Sequence, residues 1–181
     1  MNKHFEEDLK KAGEFHGHIC AGIIIGVRLA RAGLEYLGID DPAKNRDFIV
    51  YCEIERCLTD AVQSVTGVSL GKRRLKIRDY GKMAACFVDM NTGKGVRLVC
   101  FGNVNAPDGA DLVEFFGRIP DSELFRTEPV TVSIPAEDLP GRPVRSAVCS
   151  VCGEKVMDAR DVTHEGKIFC RACFGGAYYT K

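Results

Sequence analysis

The sequence predicts an α+β fold, a mixed sheet with helices packed on it, followed by a small four-cysteine module. Three observations predict it: apolar residues recur at helical spacing in two N-terminal stretches, β-rich runs dominate from residue 48 to about 102, and two Cys-x-x-Cys pairs lie near the C-terminus. The 181 residues suffice for one full core and a minor appendage, since domains commonly run to roughly 100–150 residues.

Residues 3 to 15 read as a short amphipathic helix. A longer helix follows from Ala21 to Leu37, with Ile23, Val27, Ala30, Leu34 and Leu37 on its apolar face and Gly38 closing it. Gly22, Gly26 and Gly33 lie inside this helix, where each costs about 1 kcal/mol against alanine, so a neighbouring helix or strand is expected close against its backbone. Phe48 to Glu55 reads as a strand, and Cys57 to Thr66 as a helix ended by Gly67. Leu75 to Tyr80, Met83 to Met90 and Val96 to Gly102 read as three strands, joined by Gly81-Lys82 and by Asn91-Thr92-Gly93-Lys94 into an antiparallel meander. The order helix, strand, helix, three strands places helices on one face of a sheet. Asp111 to Arg118 and Ser122 to Phe125 read as short helices, the second with Ser122 as N-cap, and Val130 to Ile134 as a strand. Four of the seven prolines, Pro129, Pro135, Pro140 and Pro143, mark a stiff connector from about residue 129. The expected domains are therefore 1–146, including that connector, and 147–181.

An apolar share of 45% and a charged share of 28% describe a globular chain, and 25 basic against 25 acidic residues leave no global field to draw it to nucleic acid or an anionic membrane. The apolar run Ile19 to Val27 falls far short of the roughly 20 residues of a membrane helix, and MNKHFEEDLKK is too polar for a signal peptide, so the expected location is the cytoplasm. Nine cysteines, an odd number without a secretion signal, read as reduced thiols kept for metal or catalysis.

Cys149, Cys152, Cys170 and Cys173, with seventeen residues between the pairs, have the spacing of two thiolate pairs that complete a tetrahedral zinc shell. A closed four-thiolate shell has no position for substrate, so this zinc is expected to be structural. The intervening segment reads as a hairpin about Glu165-Gly166, and His164 as a turn-region histidine. Whether the second pair opens a helix, as in treble clefs, or a second hairpin turn, as in ribbons, depends on the glycine-rich FGGAYY that follows.

The second informative stretch is Phe15-His16-Gly17-His18-Ile19-Cys20-Ala21-Gly22. On an extended segment His16, His18 and Cys20 fall on one side, whereas on a helix only His16 and Cys20 share a face. Cys57 and Asp60, one helical turn apart, offer further ligands, and Cys57 is expected to complete a site with His18 and Cys20. Nitrogen and sulfur donors suit zinc or another transition metal, and fewer than four protein ligands leave room for water or substrate. His16, Cys57 and Asp60 are the candidate catalytic residues. A metal-free alternative makes Cys20 or Cys57 a nucleophile paired to a histidine. Lys72-Arg73-Arg74 is a cationic run after a helix end. The spacing of Gly67 and Gly71 is wrong for a phosphate loop, so the run reads as a solvated loop, with Lys72 the candidate contact to an anionic cofactor. Asp79 and Tyr80 are further candidates for the cleft beside the histidines.

The run FHGHICAG, then CLTDAVQ from Cys57, TGVSLGK and DYGKMA together resemble the FmdE domain of formylmethanofuran dehydrogenases, over roughly residues 10 to 105. The resemblance implies an α+β fold with a metal site near the first helix, using His16, His18, Cys20 and Cys57, with Gly71-Lys72 in the family's loop after the helix. A four-cysteine module also accompanies the domain in many members. Val68 stands where members often have cysteine, and Ala21 where proline is common, which leaves one thiol fewer for dithiol chemistry. The expected function is a metal-binding accessory protein of redox or one-carbon metabolism, forming a homodimer. The alternative is an adaptor whose zinc module binds another protein on a dimeric scaffold. Nucleic acid is not favoured as a partner, because Lys155, Arg160, Lys167 and Arg171 are offset by Glu154, Asp158, Asp161 and Glu165.

Overall fold

The computed structural model describes residues 4–101 and 104–180. Its contacts divide the chain into two compact units, Met1–Ser133 and Ile134–Lys181. In the first unit, helices α1 (Phe5–His16) and α2 (Ala21–Tyr36) precede strand β1 (Phe48–Cys52) and helix α3 (Cys57–Thr66). Strands β2 (Leu75–Ile77), β3 (Ala84–Asp89) and β4 (Lys94–Cys100) follow, then α4 (Leu112–Arg118), α5 (Asp121–Leu124) and β5 (Phe125–Thr131). The predicted ends at Lys3 and Gly102 lie outside the described residues. Among the described residues no helix is long and apolar enough to cross a membrane.

The five strands form one mixed sheet in the order β2-β1-β3-β4-β5. β2, β3 and β4 do not form the expected three-strand meander. β2 pairs parallel to β1, with Val50 opposite Leu75, and β3 pairs antiparallel on the other side of β1, with Val50 opposite Phe87. The cause is α3, which carries the chain back along the helical layer so that β2 starts from the same end as β1. Gly81-Lys82 is thus part of a crossing to the far side of β1 rather than a hairpin turn. β3 and β4 do form the expected hairpin.

Strand β5 begins five residues before the predicted Val130 and contains Pro129, which sits opposite Val96. Proline is tolerated there because β5 is the edge strand and its outer side needs no donor. Asp111 caps α4 by accepting from the amides of Val113 and Glu114, whereas α5 begins at Asp121 after Pro120, so Ser122 is not its cap.

Helix α1 buries Phe5, Asp8, Leu9, Ala12 and Gly13, a single helical stripe. The glycines of α2 each meet a neighbour. A Cβ on Gly26 would lie 2.7 Å from Ala61 Cβ and 3.1 Å from the Leu58 backbone of α3, and one on Gly33 would run into the Phe87 ring of β3. These glycines let α2 sit directly on α3 and on the sheet. Phe48, Val50, Cys52, Ala85, Phe87, Val96 and Leu98 face the helices in one core. Cys52 is part of it, and its burial pushes the thiol from an ordinary 9.0 up to about 12. The unfolded chain therefore releases this proton at lower pH than the folded one. Stability is expected to fall as pH climbs from about 9 toward 12, measurable as a declining urea midpoint across that window.

The second unit takes in most of the proline-rich segment, so the border lies between Ser133 and Ile134 rather than near residue 146. A 3₁₀ turn at Ala136–Asp138 presents Asp138 to Arg160 at 2.6 Å, and Arg145 pairs with Asp161, which ties the segment to the module. Strands β6 (Ser146–Val148) and β7 (Lys155–Met157) pair antiparallel, as do β8 (Val162–His164) and β9 (Lys167–Phe169), and a short helix α6 (Arg171–Gly175) follows. Glu165 and Gly166, at φ 47° and 73°, make the predicted hairpin turn.

Candidate metal centres

In the second unit, Cys149 and Cys152 sit in the loop between β6 and β7, and Cys170 and Cys173 open α6. The helix resolves the alternative left open by FGGAYY: the second pair opens a helix, the treble-clef arrangement. All four sulfurs lie within 4.8 Å of one another, and Cys152 Sγ is 4.0 Å from Cys170 Sγ. A tetrahedron with Zn–S bonds of about 2.3 Å has edges of about 3.8 Å, so the group fits zinc. Cys170 is also the N-cap of α6, its sulfur accepting from the Cys173 amide at 3.3 Å. The amides of Cys152, Cys170 and Val151 hold the Cys149 thiol down at about 6, while neighbouring Cys170 pushes Cys173 up to about 12. Four thiols this close cannot all ionise without a cation among them. His164 packs its ring edge-on against Phe174, 5.5 Å between centroids, outside this group.

The N-terminal cluster is built where three helix ends meet. His16 is the last residue of α1, and Gly17, at φ 92°, turns the chain sharply. Cys20 is the N-cap of α2 and Cys57 the first residue of α3. Helix N-termini favour thiolate. The ligand atoms of His16, Cys20 and Cys57 all lie within 4.8 Å of one another. Gly22 makes the approach possible, since a Cβ there would stand 3.0 Å from Cys57 Cβ and 3.3 Å from its sulfur.

His18 is not in this group. The turn at Gly17 removes the extended path that would align it with Cys20, and its ring instead packs on His16, 4.7 Å between centroids. Asp60, one turn after Cys57, accepts a hydrogen bond from His16 Nδ1 at 2.7 Å. That bond assigns the proton to Nδ1 and leaves Nε2 as the ligand atom. Burial, with Cys20 beside it, pushes the Cys57 thiol up, although its own backbone amide acts the other way. This is opposite to what an activated metal-free nucleophile requires. One imidazole and two thiols form a donor set that suits zinc and leaves a fourth position uncommitted.

A cleft of about 480 Å³ adjoins the cluster, lined by His16, Cys57, Asp60, Thr59, Leu70 and Ile77 among others. Asp79 and Tyr80 do not line it. Lys72 lies on a different cleft, and the sequence carries no signal for that separation because the loop's path depends on tertiary packing. Val68 is 1% exposed and belongs to the hydrophobic core just after α3, so this position is an apolar packing site. Cys52, Cys86 and Cys100 lie in strands, and burial raises all three thiols, in keeping with core roles.

Comparison with known proteins bears on both units. Residues 142–179 match the prokaryotic dksA/traR C4-type zinc finger, which agrees with the four-cysteine geometry and identifies the second unit as a zinc site. A probable S-adenosyl-L-methionine-binding protein of Archaeoglobus fulgidus is 37% identical over 115 residues, 61% of this chain. The match spans only 31% of that relative's length. The crystal structure of a tungsten formylmethanofuran dehydrogenase FmdE-like protein from Syntrophus aciditrophicus superposes with a TM-score of 0.67, covering 97% of this chain and 95% of that one. At 23% identity it establishes a shared fold. The family described as FmdE, molybdenum formylmethanofuran dehydrogenase operon, matches residues 15–122, a span that begins one residue before His16 and takes in Cys20, Cys57, Asp60 and the whole sheet up to β4. The chain therefore belongs to the FmdE family.

Proposed function

We propose that the N-terminal unit binds a transition metal, zinc first among them, through His16, Cys20 and Cys57, and presents its open position to a small thiol or one-carbon ligand in redox or one-carbon metabolism. The observation that carries this reading is the convergence of one imidazole and two thiols from three helix ends, with Asp60 orienting the imidazole. Bound there, the metal would supply Lewis acidity toward the ligand. The chain's own residues do the rest. Asp60 holds His16 in one tautomer, Gly22 leaves space for the Cys57 sulfur, and Leu70 and Ile77 give the adjoining cleft apolar walls. His16 and Asp60 also form a hydrogen-bonded pair through which a proton at Nδ1 can be held or passed.

Elemental analysis of the full chain, purified anaerobically, tests the reading. Two metal equivalents per chain are expected, falling to one in Cys20→Ser/Cys57→Ser and to one in Cys149→Ser/Cys152→Ser. Gly22→Ala is expected to lower occupancy of the N-terminal site alone. With cobalt in place of the native metal, a small thiol should shift the visible absorption of the Cys149→Ser/Cys152→Ser variant. A single equivalent in the native chain, indifferent to Cys20 and Cys57, would remove the N-terminal metal.

A second reading makes the zinc module a protein-binding adaptor on a homodimeric scaffold. It draws support from Val148, Val151, Met157 and Phe174, apolar side chains that are all at least half exposed on that module.

A further inference from the structure

A second cleft, of about 590 Å³, lies on the first unit away from the His16 cluster. Its lining comes from α1, Arg31 of α2, the loop at residues 40–46, the end of α3 and the segment leading into β2. Six lysines and arginines face it against four aspartates and glutamates. Most of these charges are matched. Asp8 pairs with Arg31, Glu7 with Lys11, Asp41 with Lys44, and Asp40 lies against the His4 imidazole. Three cations stand apart: Arg46, Lys72 and Arg74 have no ion-pair partner among the described residues.

Arg74 is the informative one. It is only 8% exposed, its Nη1 is buried with no hydrogen-bond partner, and its guanidinium lies over the Phe48 ring, 5.3 Å from the centroid. Burial and the charge of Arg46 both push it below the ordinary arginine value. A guanidinium stays charged in proteins, so an unpaired one at this depth is costly and an anion beside it would remove the cost. Its neighbours do not supply one. The end of α3, which would present negative carbonyls, is closed by the Thr66 hydroxyl donating to Val62 O at 2.6 Å and by the Gly67 amide donating to Gln63 O at 2.9 Å. Ser64 adds a hydroxyl to the lining.

We infer that this cleft is a binding site for a phosphoryl group, free or carried on a small molecule, held by Arg74 from below and by Arg46 and Lys72 at the rim. A planar guanidinium fixed by an aromatic ring presents paired donors to phosphate oxygens, and the two exposed cations at the rim can reach the same group. The volume exceeds that of inorganic phosphate and leaves space for an organic part. None of these residues lines the cleft beside the proposed metal centre.

Isothermal titration of the full-length, metal-replete protein with inorganic phosphate and with glycerol phosphate, at chloride-fixed ionic strength, tests it. Saturable one-to-one uptake of at least one of them is expected, and tighter binding of the ester identifies an organic ligand. Arg46 and Lys72 are exposed, so Arg46→Ala/Lys72→Ala should fold normally yet bind at least about tenfold more weakly, as loss of charge-assisted hydrogen bonds implies. Arg74→Gln should abolish uptake, whereas Cys20→Ser/Cys57→Ser should leave it unchanged. Absence of saturable uptake, undiminished uptake by Arg46→Ala/Lys72→Ala, or acetate binding as tightly as phosphate would overturn the assignment.

Discussion

Replacing Cys170 by serine is expected to release the C-terminal zinc and unfold the second unit as a whole. Between Ile134 and Thr180 only Asp138 and Cys149 are buried, so this unit has no hydrophobic core to fall back on. Its strands are three residues each and α6 is five. The metal takes the place of a core, and structural zinc in modules of this size is worth about 10–16 kcal/mol in apparent binding free energy. Cys170 is the most sensitive of the four positions because its sulfur also caps α6. Loss of amide dispersion for residues 146–175, together with one zinc equivalent, is the measurement, and the amides of β1, β3 and β4 serve as internal controls. A chelator should reproduce the effect, and so should acid. Protons compete with zinc for thiolates, so zinc retention should decline as pH falls.

Asp8→Ala is expected to destabilise the first unit by about 3–5 kcal/mol, the cost of leaving a buried charge without its partner. Asp8 and Arg31 are 3% and 8% exposed, and Arg31 reaches both carboxylate oxygens through Nε and Nη2. This pair joins α1 to α2 where α1 has few large apolar anchors beyond Phe5 and Leu9. Because His16 ends α1, metal occupancy at the N-terminal cluster should fall with it. The double variant Asp8→Ala/Arg31→Met should be more stable than Asp8→Ala alone, since removing both charges removes the desolvated cation. Urea unfolding of the three proteins decides this. A single variant as stable as the native chain would mean that the pair contributes nothing net.

Much of the fold is legible in the residues. The pattern predicts α3 with its observed limits, and α2 to within one residue at its C-terminal end, because a 3.6-residue apolar period is a local property and Gly67 and Gly38 end helices by the same left-handed geometry in any context. The glycines of α2 announce close packing without naming what packs there. The cysteine pairs carry their chemistry in their spacing, since two residues between thiols suffice to define each half of the shell.

What eludes the sequence is non-local. Period-two alternation says which residues share a face of a strand and nothing about which strand lies alongside, so β2 fits a meander by pattern and instead lies parallel to β1. Pro129 suggests a connector, and only its place on the sheet edge makes it part of β5. The N-terminal run offers three ligands in five residues, yet the turn at Gly17 and the meeting of α1, α2 and α3 select His16 and Cys20, set His18 aside, and recruit Asp60 as the partner of His16. Element types and the paired spacing of the four C-terminal cysteines are thus legible in the residues alone, because these depend on local backbone preference and side-chain chemistry. Tertiary structure alone decided strand order, which ligands converge, and the unpaired burial of Arg74, because each depends on residues distant in the chain meeting at distances no local pattern encodes.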